Sequence, residues 1–220
     1  LKGSDKSDVI NGGDGVDTID GRGTQPGVAE TLDGKAGDDI ITSGGGNGHT
    51  VNITGGTGDD AMAGGASIDK FLAVGVANVV SSSAYTATTL NTAGGAGTLD
   101  AGDTLTFGGG LDIITGWTQG TDKLGTGAKG SVDNVGNAAI TLGNDIGGAG
   151  LNYLAGRWTA AGGGNPNAGA FVPAASFDSG DAAKNDLLLI TADGTTTYAA
   201  TQGWVLLIDP SALPQTTDLV

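Results

Sequence analysis

The sequence predicts an all-β protein whose N-terminal part winds as a flattened solenoid of short strands. Three observations predict this fold: 44 of the 220 residues are glycine, residues 3–72 follow a nine-residue period, and each period holds one large apolar residue at the same position. Glycine makes up only about 7% of ordinary soluble proteins. Its excess at regular positions therefore indicates a backbone role, in tight turns that recur along the chain.

The period is clearest in two copies of the pattern GGxGxDxUx, where U is a large apolar residue. They read GGDGVDTID at 12–20 and GGTGDDAMA at 55–63. Weaker copies, and two that emerge only when the period is enforced, complete a run of seven, at 3–11, 21–33, 34–42, 46–54 and 64–72. The copy at 21–33 carries four extra residues, and residues 43–45 lie between copies.

Each copy is expected to form a glycine turn over its first six residues and a short strand over its last three. Two copies complete one coil of eighteen residues, so copies two apart stack on the same side. The apolar position then points to a common core, which a flexible glycine-rich linker would not require. Its occupants are Ile10, Ile19, Leu32, Ile41, Ile53, Met62 and Phe71.

Stacked turns would offer carbonyl oxygens and one carboxylate each, and calcium prefers such a shell of six to eight oxygens. Numbered along the chain, the even copies all have aspartate in the acid position, at Asp17, Asp39 and Asp60. The odd copies have Asp8, Glu30, Val51 and Asp69, together with both length irregularities. We call the two sides the even edge and the odd edge. The pattern predicts at least two calcium sites on the even edge and fewer or weaker ones on the odd edge.

These repeats resemble the RTX family, the glycine-rich calcium-binding repeats of proteins exported by type I secretion systems of Gram-negative bacteria. The resemblance implies a parallel β-roll that binds several Ca²⁺ ions, the type I apparatus as a partner, and an extracellular or cell-surface location. It also implies ligands at the second, fourth and sixth positions of each copy. These are Gly13, Gly15, Asp17, Gly37, Asp39, Gly56, Gly58 and Asp60, with Asp8 and Asp69 on the odd edge. Lys6, Ser67 and Val51 depart from the family pattern.

A second, degenerate piece of roll is predicted at 98–124, which gives a roll region of 1–124. Asp103 and Asp112 lie nine residues apart there, each followed two residues later by an apolar residue, Leu105 or Ile114. This spacing predicts one further calcium ion. The segment GWTQGTDKL at 116–124 resembles the stretch that closes the roll in secreted proteases of the same superfamily.

Residues 125–220 are expected to form a C-terminal β region that caps the open end of the roll. The apolar run at 186–208 indicates antiparallel strands, with a tight turn at Asp193-Gly194. Tyr153 and Trp158 are expected in its core, and Asp178, Asp181 and Asp186 in a solvated acidic loop. The final residues TTDLV resemble the uncleaved C-terminal export signal of type I substrates.

Composition excludes several functions. The formal net charge of −15 disfavours nucleic acid as a partner. The sequence contains no run of 18 apolar residues, so we expect no membrane insertion. Without cysteine the chain has neither disulfides nor a thiolate metal site. GxSxG and HExxH motifs are absent, and GTGAKG at 125–130 lacks the strand and helix of a dinucleotide site. We therefore expect no enzyme, and we expect the single histidine, His49, in an exposed turn.

The sequence thus favours a calcium-dependent folding, stabilisation and export module of a secreted or cell-surface protein. One alternative is a segment of a surface-layer or adhesin protein, in which calcium mediates a lattice and the partners are further copies or a surface polysaccharide. Another is the tail of a secreted protease or lipase with its catalytic domain upstream. The chain begins inside a repeat, which favours a C-terminal fragment of a longer protein.

Overall fold

We describe the protein from a computed structural model. The described residues are 1–23, 25–72, 85–89, 98–99, 104–107, 111–125, 131–134, 140–141, 150–162, 167–192 and 204–220.

The predicted all-β class is confirmed. The strands are β1 Val9–Asp14, β2 Thr18–Asp20, β3 Ala29–Ala36, β4 Ile40–Thr42, β5 Thr50–Thr57, β6 Ala61–Ala63, β7 Ile68–Phe71, β8 Tyr85–Thr89, β9 Thr98–Leu99, β10 Thr104–Phe107, β11 Asp112–Thr115, β12 Lys123–Leu124, β13 Ser131–Asn134, β14 Ile140–Thr141, β15 Gly150–Ala160, β16 Gly169–Pro173, β17 Asp186–Ala192 and β18 Trp204–Ile208. The described residues form one short 3-10 helix, Thr216–Asp218, and no α-helix. Accordingly, none of them belongs to a helix of the length and apolarity needed to cross a membrane.

Strands two apart in sequence pair with each other in parallel, as the repeat predicts. One sheet has the order β1-β3-β5-β7-β12, and a second begins β2-β4-β6-β11. The register aligns the apolar position of successive coils: Ile10 with Leu32, Ile53 and Phe71 in the first sheet, and Ile19 with Ile41, Met62 and Ile114 in the second. The apolar position of each copy therefore stays aligned even where the coils are longer than eighteen residues, as between Ile10 and Leu32.

The apolar side chains of the repeat meet in one core between the two sheets. Six of the seven are buried, and Ile10, in the first coil, is partly buried against the same cluster. Full burial of a side chain of this size stabilises a fold by about 1.5–3 kcal/mol. Since each coil adds only one such side chain per sheet, stability must come from stacking several coils.

The second sheet continues into the C-terminal region. β18 pairs in parallel with β11 and antiparallel with β17, and β15 and β16 follow in antiparallel order. The predicted antiparallel pairing within 186–208 is thus confirmed, and β18 occupies the edge that β11 would otherwise expose. The predicted Asp193-Gly194 turn lies outside the described residues. Tyr153 is buried and Trp158 packs against a core, as predicted.

The first half of the predicted degenerate piece does not join the stacked coils. β10 pairs antiparallel with β8 and β16, and Leu105 lies in a second core with Phe107 and Phe171. Leu105 and Phe107 are two residues apart, so a strand turns both toward that core. Ile114, by contrast, lies in the main core, stacked on Met62. The expectation was therefore wrong for Leu105 and correct for Ile114.

The last residues of the chain pack onto the end of the first sheet. Leu219 forms a parallel bridge with Leu124, and the Val220 N–H donates to the Leu124 carbonyl. Asp218 is fully buried and accepts hydrogen bonds from the Gly120 and Gln215 N–H groups. The GWTQGTDKL segment ends in β12, which pairs with β7 and carries this C-terminal contact.

Candidate metal centre

A row of aspartates joins successive coils along the even edge. The Asp17 N–H donates to Asp39 Oδ1 at 2.7 Å, and the Asp39 N–H donates to Asp60 Oδ1 at 2.9 Å. The Asp60 N–H in turn donates to Asp112 Oδ1 at 3.0 Å. Each of these three carboxylates thus uses one oxygen to bind the backbone of the neighbouring coil. We call Asp17, Asp39, Asp60 and Asp112 the even ladder.

The second carboxyl oxygen of the two middle aspartates of this ladder has no hydrogen-bond partner among the described residues. These two atoms, Asp39 Oδ2 and Asp60 Oδ2, are both buried. Native proteins pair nearly all buried polar atoms, because an unpaired one costs about 1–3 kcal/mol. These two oxygens therefore mark a place where a proton or a cation would stabilise the fold.

The turns between these strands stack closely enough to require glycine. The Gly15 N–H donates to the Ala36 carbonyl at 2.7 Å, and the Gly37 N–H donates to the Thr57 carbonyl at 2.8 Å. A Cβ at Gly37 would overlap the Gly15 carbonyl, and one at Gly58 would overlap the Gly37 carbonyl. All five glycines predicted as ligands have positive φ, namely Gly13, Gly15, Gly37, Gly56 and Gly58. A Cβ at Gly34 would overlap both Asp39 Oδ2 and the Gly55 carbonyl, so a backbone carbonyl lies beside this aspartate.

Burial makes three of the ladder carboxyls, those of Asp39, Asp60 and Asp112, hard to ionise. It raises the pKa of Asp60 to about 7, with the charges of Asp39 and Asp38 acting in the same direction and the Asp39 N–H acting against them. Burial also raises the pKa of Asp39 and, well above its usual range, that of Asp112. A bound divalent cation would reverse this balance by compensating neighbouring negative charges.

On the odd edge, the protein itself supplies donors to most of the acids. Asp8 Oδ2 accepts from both the N–H and the hydroxyl of Ser4. Asp69 Oδ1 accepts from the Ser67 hydroxyl at 2.8 Å, and its Oδ2 accepts from the Gly65 N–H at 2.8 Å. Ser67 stands where the repeat usually has glycine, and its hydroxyl donates a hydrogen bond to the Asp69 carboxylate.

The odd edge also differs in its acid positions and its loop lengths. Val51 is paired with Glu30 and Asp69 and is buried, so it gives this coil an apolar side chain where an acid is expected. Between consecutive strands, the first three odd-edge turns span eight, seven and four residues, whereas the three even-edge turns span three each. The two edges thus differ in geometry, and their predicted inequality in calcium binding stays a prediction.

Of the predicted ligands, the structure brings Asp17, Asp39, Asp60 and Asp112 into one line and places Asp8 and Asp69 on the opposite edge. Asp103 lies outside the described residues. Sequence reasoning missed Asp122, whose Oδ1 accepts from the Asp69 N–H at 2.9 Å and whose Oδ2 accepts from the Thr118 N–H. Its signal was the spacing Asp-x-Leu at 122–124, which repeats the acid and apolar positions.

Two further expectations were wrong. His49 is not exposed but fully buried, with its ring packed against Gly23 of the preceding odd-edge turn. Asp186 is not solvated; its carboxylate accepts from the Trp158 N–H at 2.7 Å and the Asp209 N–H at 3.1 Å, which ties β17 to its neighbours. Asp178 is exposed, and Asp181 forms an exposed ion pair with Lys184, as a solvated loop requires.

Neither the profiles of known protein families nor the curated proteins give a match to this chain. The geometry of the even edge is therefore the basis on which a function is assigned.

Proposed function

We propose that the chain is an RTX-type β-roll whose even edge binds calcium, and that calcium binding drives its folding. One observation carries the proposal: the unpartnered, buried Oδ2 atoms of Asp39 and Asp60, held beside stacked glycine turns. The described residues bring no three acidic or histidine side chains together, so such an ion would take its other ligands from carbonyl groups of the turns. An all-oxygen shell of this kind suits calcium.

Calcium would act as a switch for folding because the chain is strongly acidic. At a net charge of −15, carboxylate repulsion opposes compaction when calcium is scarce. Extracellular modules bind calcium with dissociation constants of about 0.1 mM, so about 1 mM calcium adds roughly 1.4 kcal/mol per site. Several sites along one ladder then provide a few kcal/mol, which is a large share of a typical domain's stability.

This behaviour fits a module that leaves the cell loosely folded and folds outside it. We propose the type I secretion apparatus as the partner and the outside of a Gram-negative cell as the location, on the strength of the repeat. The lattice and exoenzyme-tail alternatives stay predictions, since no described surface favours either one.

Circular dichroism of EDTA-treated protein during calcium addition tests the proposal. We expect strand signal to appear cooperatively between micromolar and millimolar calcium, and magnesium to fail at equal concentration because it requires a smaller octahedral shell. A metal-free protein that is already fully folded, with an unchanged thermal midpoint in calcium, would overturn the proposal.

A further inference from the structure

The two longest odd-edge turns bring a carboxylate and an imidazole together inside the fold. Glu30 occupies the acid position of the third copy, and His49 lies in the turn that precedes β5. Both side chains are fully buried, and His49 Nε2 lies 3.6 Å from Glu30 Oε2. That distance is longer than a hydrogen bond.

All four polar side-chain atoms of this pair are unsatisfied. Glu30 Oε1 and Oε2 and His49 Nδ1 and Nε2 are buried, and none makes a hydrogen bond of normal geometry within the described part of the chain. The Gly23 N–H interacts with the Glu30 carboxylate but does not reach that geometry. The other odd-edge acids contrast with this, because serine hydroxyls or backbone N–H groups donate to Asp8, Asp69 and Asp122. Unpaired polar atoms at this density indicate a missing binding partner.

Glycine backbone encloses the pair. A Cβ at Gly23 would overlap both Glu30 Oε1 and the His49 ring, and one at Gly21 would lie 2.7 Å from Glu30 Oε2. Gly44 packs against the backbone of Gly23 from the next coil. The turns thus form a small cage with no room for a bulky ligand, so any occupant must be as small as an ion or a water molecule.

The donor set identifies the class of ion. Calcium takes oxygen ligands only, whereas an imidazole nitrogen beside a carboxylate suits zinc and its first-row neighbours. Two ligands that each lie about 2.0–2.1 Å from a tetrahedral ion are roughly 3.3 Å apart, close to the observed 3.6 Å. We propose that Glu30 and His49 supply two ligands of a transition-metal site on the odd edge, with Zn²⁺ as its representative ion, separate from the calcium positions of the even edge.

The test uses the full chain in saturating calcium, with Zn²⁺ as the probe. His49 is the only histidine and cysteine is absent, so nitrogen-detected NMR of the imidazole reports on this site alone. We expect a saturable one-to-one change of the His49 ring signals as Zn²⁺ is added. Ring signals that do not respond to Zn²⁺ would overturn the proposal, and the pair would then be a buried ion pair only.

Variants separate the site from general zinc uptake by the acidic surface. Glu30→Gln keeps the imidazole and the side-chain shape, and we expect it to weaken the zinc response of His49 at least tenfold. Asp33→Asn, in a carboxylate that pairs with Lys35 at the surface, is the matched control and should leave the response unchanged. Equal weakening by both variants would contradict the site. If Glu30→Gln does not fold, the wild-type titration still decides, and calcium-induced folding is measured independently of it.

Discussion

The two edges of the stacked coils differ in how their acidic side chains are stabilised. Along the even edge, turns of three residues stack closely and leave carboxylate oxygens of Asp39 and Asp60 without donors. Along the odd edge, turns of up to eight residues accompany serine hydroxyls that satisfy Asp8 and Asp69. A repeat can therefore keep its acidic residues while the protein supplies hydrogen-bond donors to some of them and leaves others without. Dependence on calcium should concentrate where the protein supplies no donor of its own.

The largest effect is expected from removing charge on the even ladder. Asp39→Asn combined with Asp60→Asn keeps each Oδ1 acceptor but removes two negative charges from the proposed sites. We expect the calcium midpoint of folding to rise about 10- to 100-fold, which corresponds to roughly 1.4–2.7 kcal/mol. Circular dichroism during calcium titration measures it.

The matched control is Asp8→Asn combined with Asp69→Asn, which removes the same charge from the odd edge. Its midpoint should shift by less than about threefold, or roughly 0.7 kcal/mol. Equal shifts in the two double variants would show that the edges do not differ in metal dependence.

The next effect concerns how closely the turns approach. Gly37 has φ 129° and no space for a Cβ beside the Gly15 carbonyl, whereas Gly45, in an odd-edge turn, has open space around it. We expect Gly37→Ala to cost about 2–4 kcal/mol and Gly45→Ala less than about 0.5 kcal/mol. Urea unfolding in saturating calcium provides both values, and a tolerated Gly37→Ala would argue against close stacking.

The even ladder should also make calcium binding depend on pH. In the metal-free fold the pKa of Asp60 is about 7, against an ordinary 3.8. Between pH 3.8 and pH 7 the folded state therefore keeps a proton on Asp60 that the unfolded state has already lost. Stability of the metal-free fold therefore falls as pH rises through this window, and calcium affinity rises because the proton no longer competes. Calorimetry at pH 6 and pH 8 should show weaker binding and more proton release at pH 6. Asp60→Asn should reduce this dependence.

The smallest effect is expected at a serine of the odd edge. Ser67→Ala removes the hydroxyl that donates to Asp69 Oδ1 at 2.8 Å and also lies 3.2 Å from the Gly44 carbonyl. We expect a loss of about 1 kcal/mol in urea unfolding, typical of one net hydrogen bond. Because a protein hydroxyl and not a calcium ion stabilises this carboxylate, the calcium midpoint of folding should stay close to that of the wild type. A loss that disappears in excess calcium would instead place a calcium ion at Asp69.

Much of this architecture could be read from the sequence because the repeat is local. Nine-residue spacing fixes which side chains share a face, so the core positions from Ile19 to Phe71 and the alternation of the two edges were predictable. The fate of Leu105 was not, since an Asp-x-Leu spacing is also compatible with an ordinary strand that packs elsewhere. His49 was misjudged because its burial depends on two inserted turns folding together, which no single copy encodes.

The most direct measurement is anomalous diffraction from crystals grown in calcium chloride. We predict calcium peaks between the turns of Asp17 and Asp39 and between those of Asp39 and Asp60, each near an Oδ2 atom that the protein leaves unpaired. An even edge without ions, or equal occupancy beside Asp8 and Asp69, would contradict it.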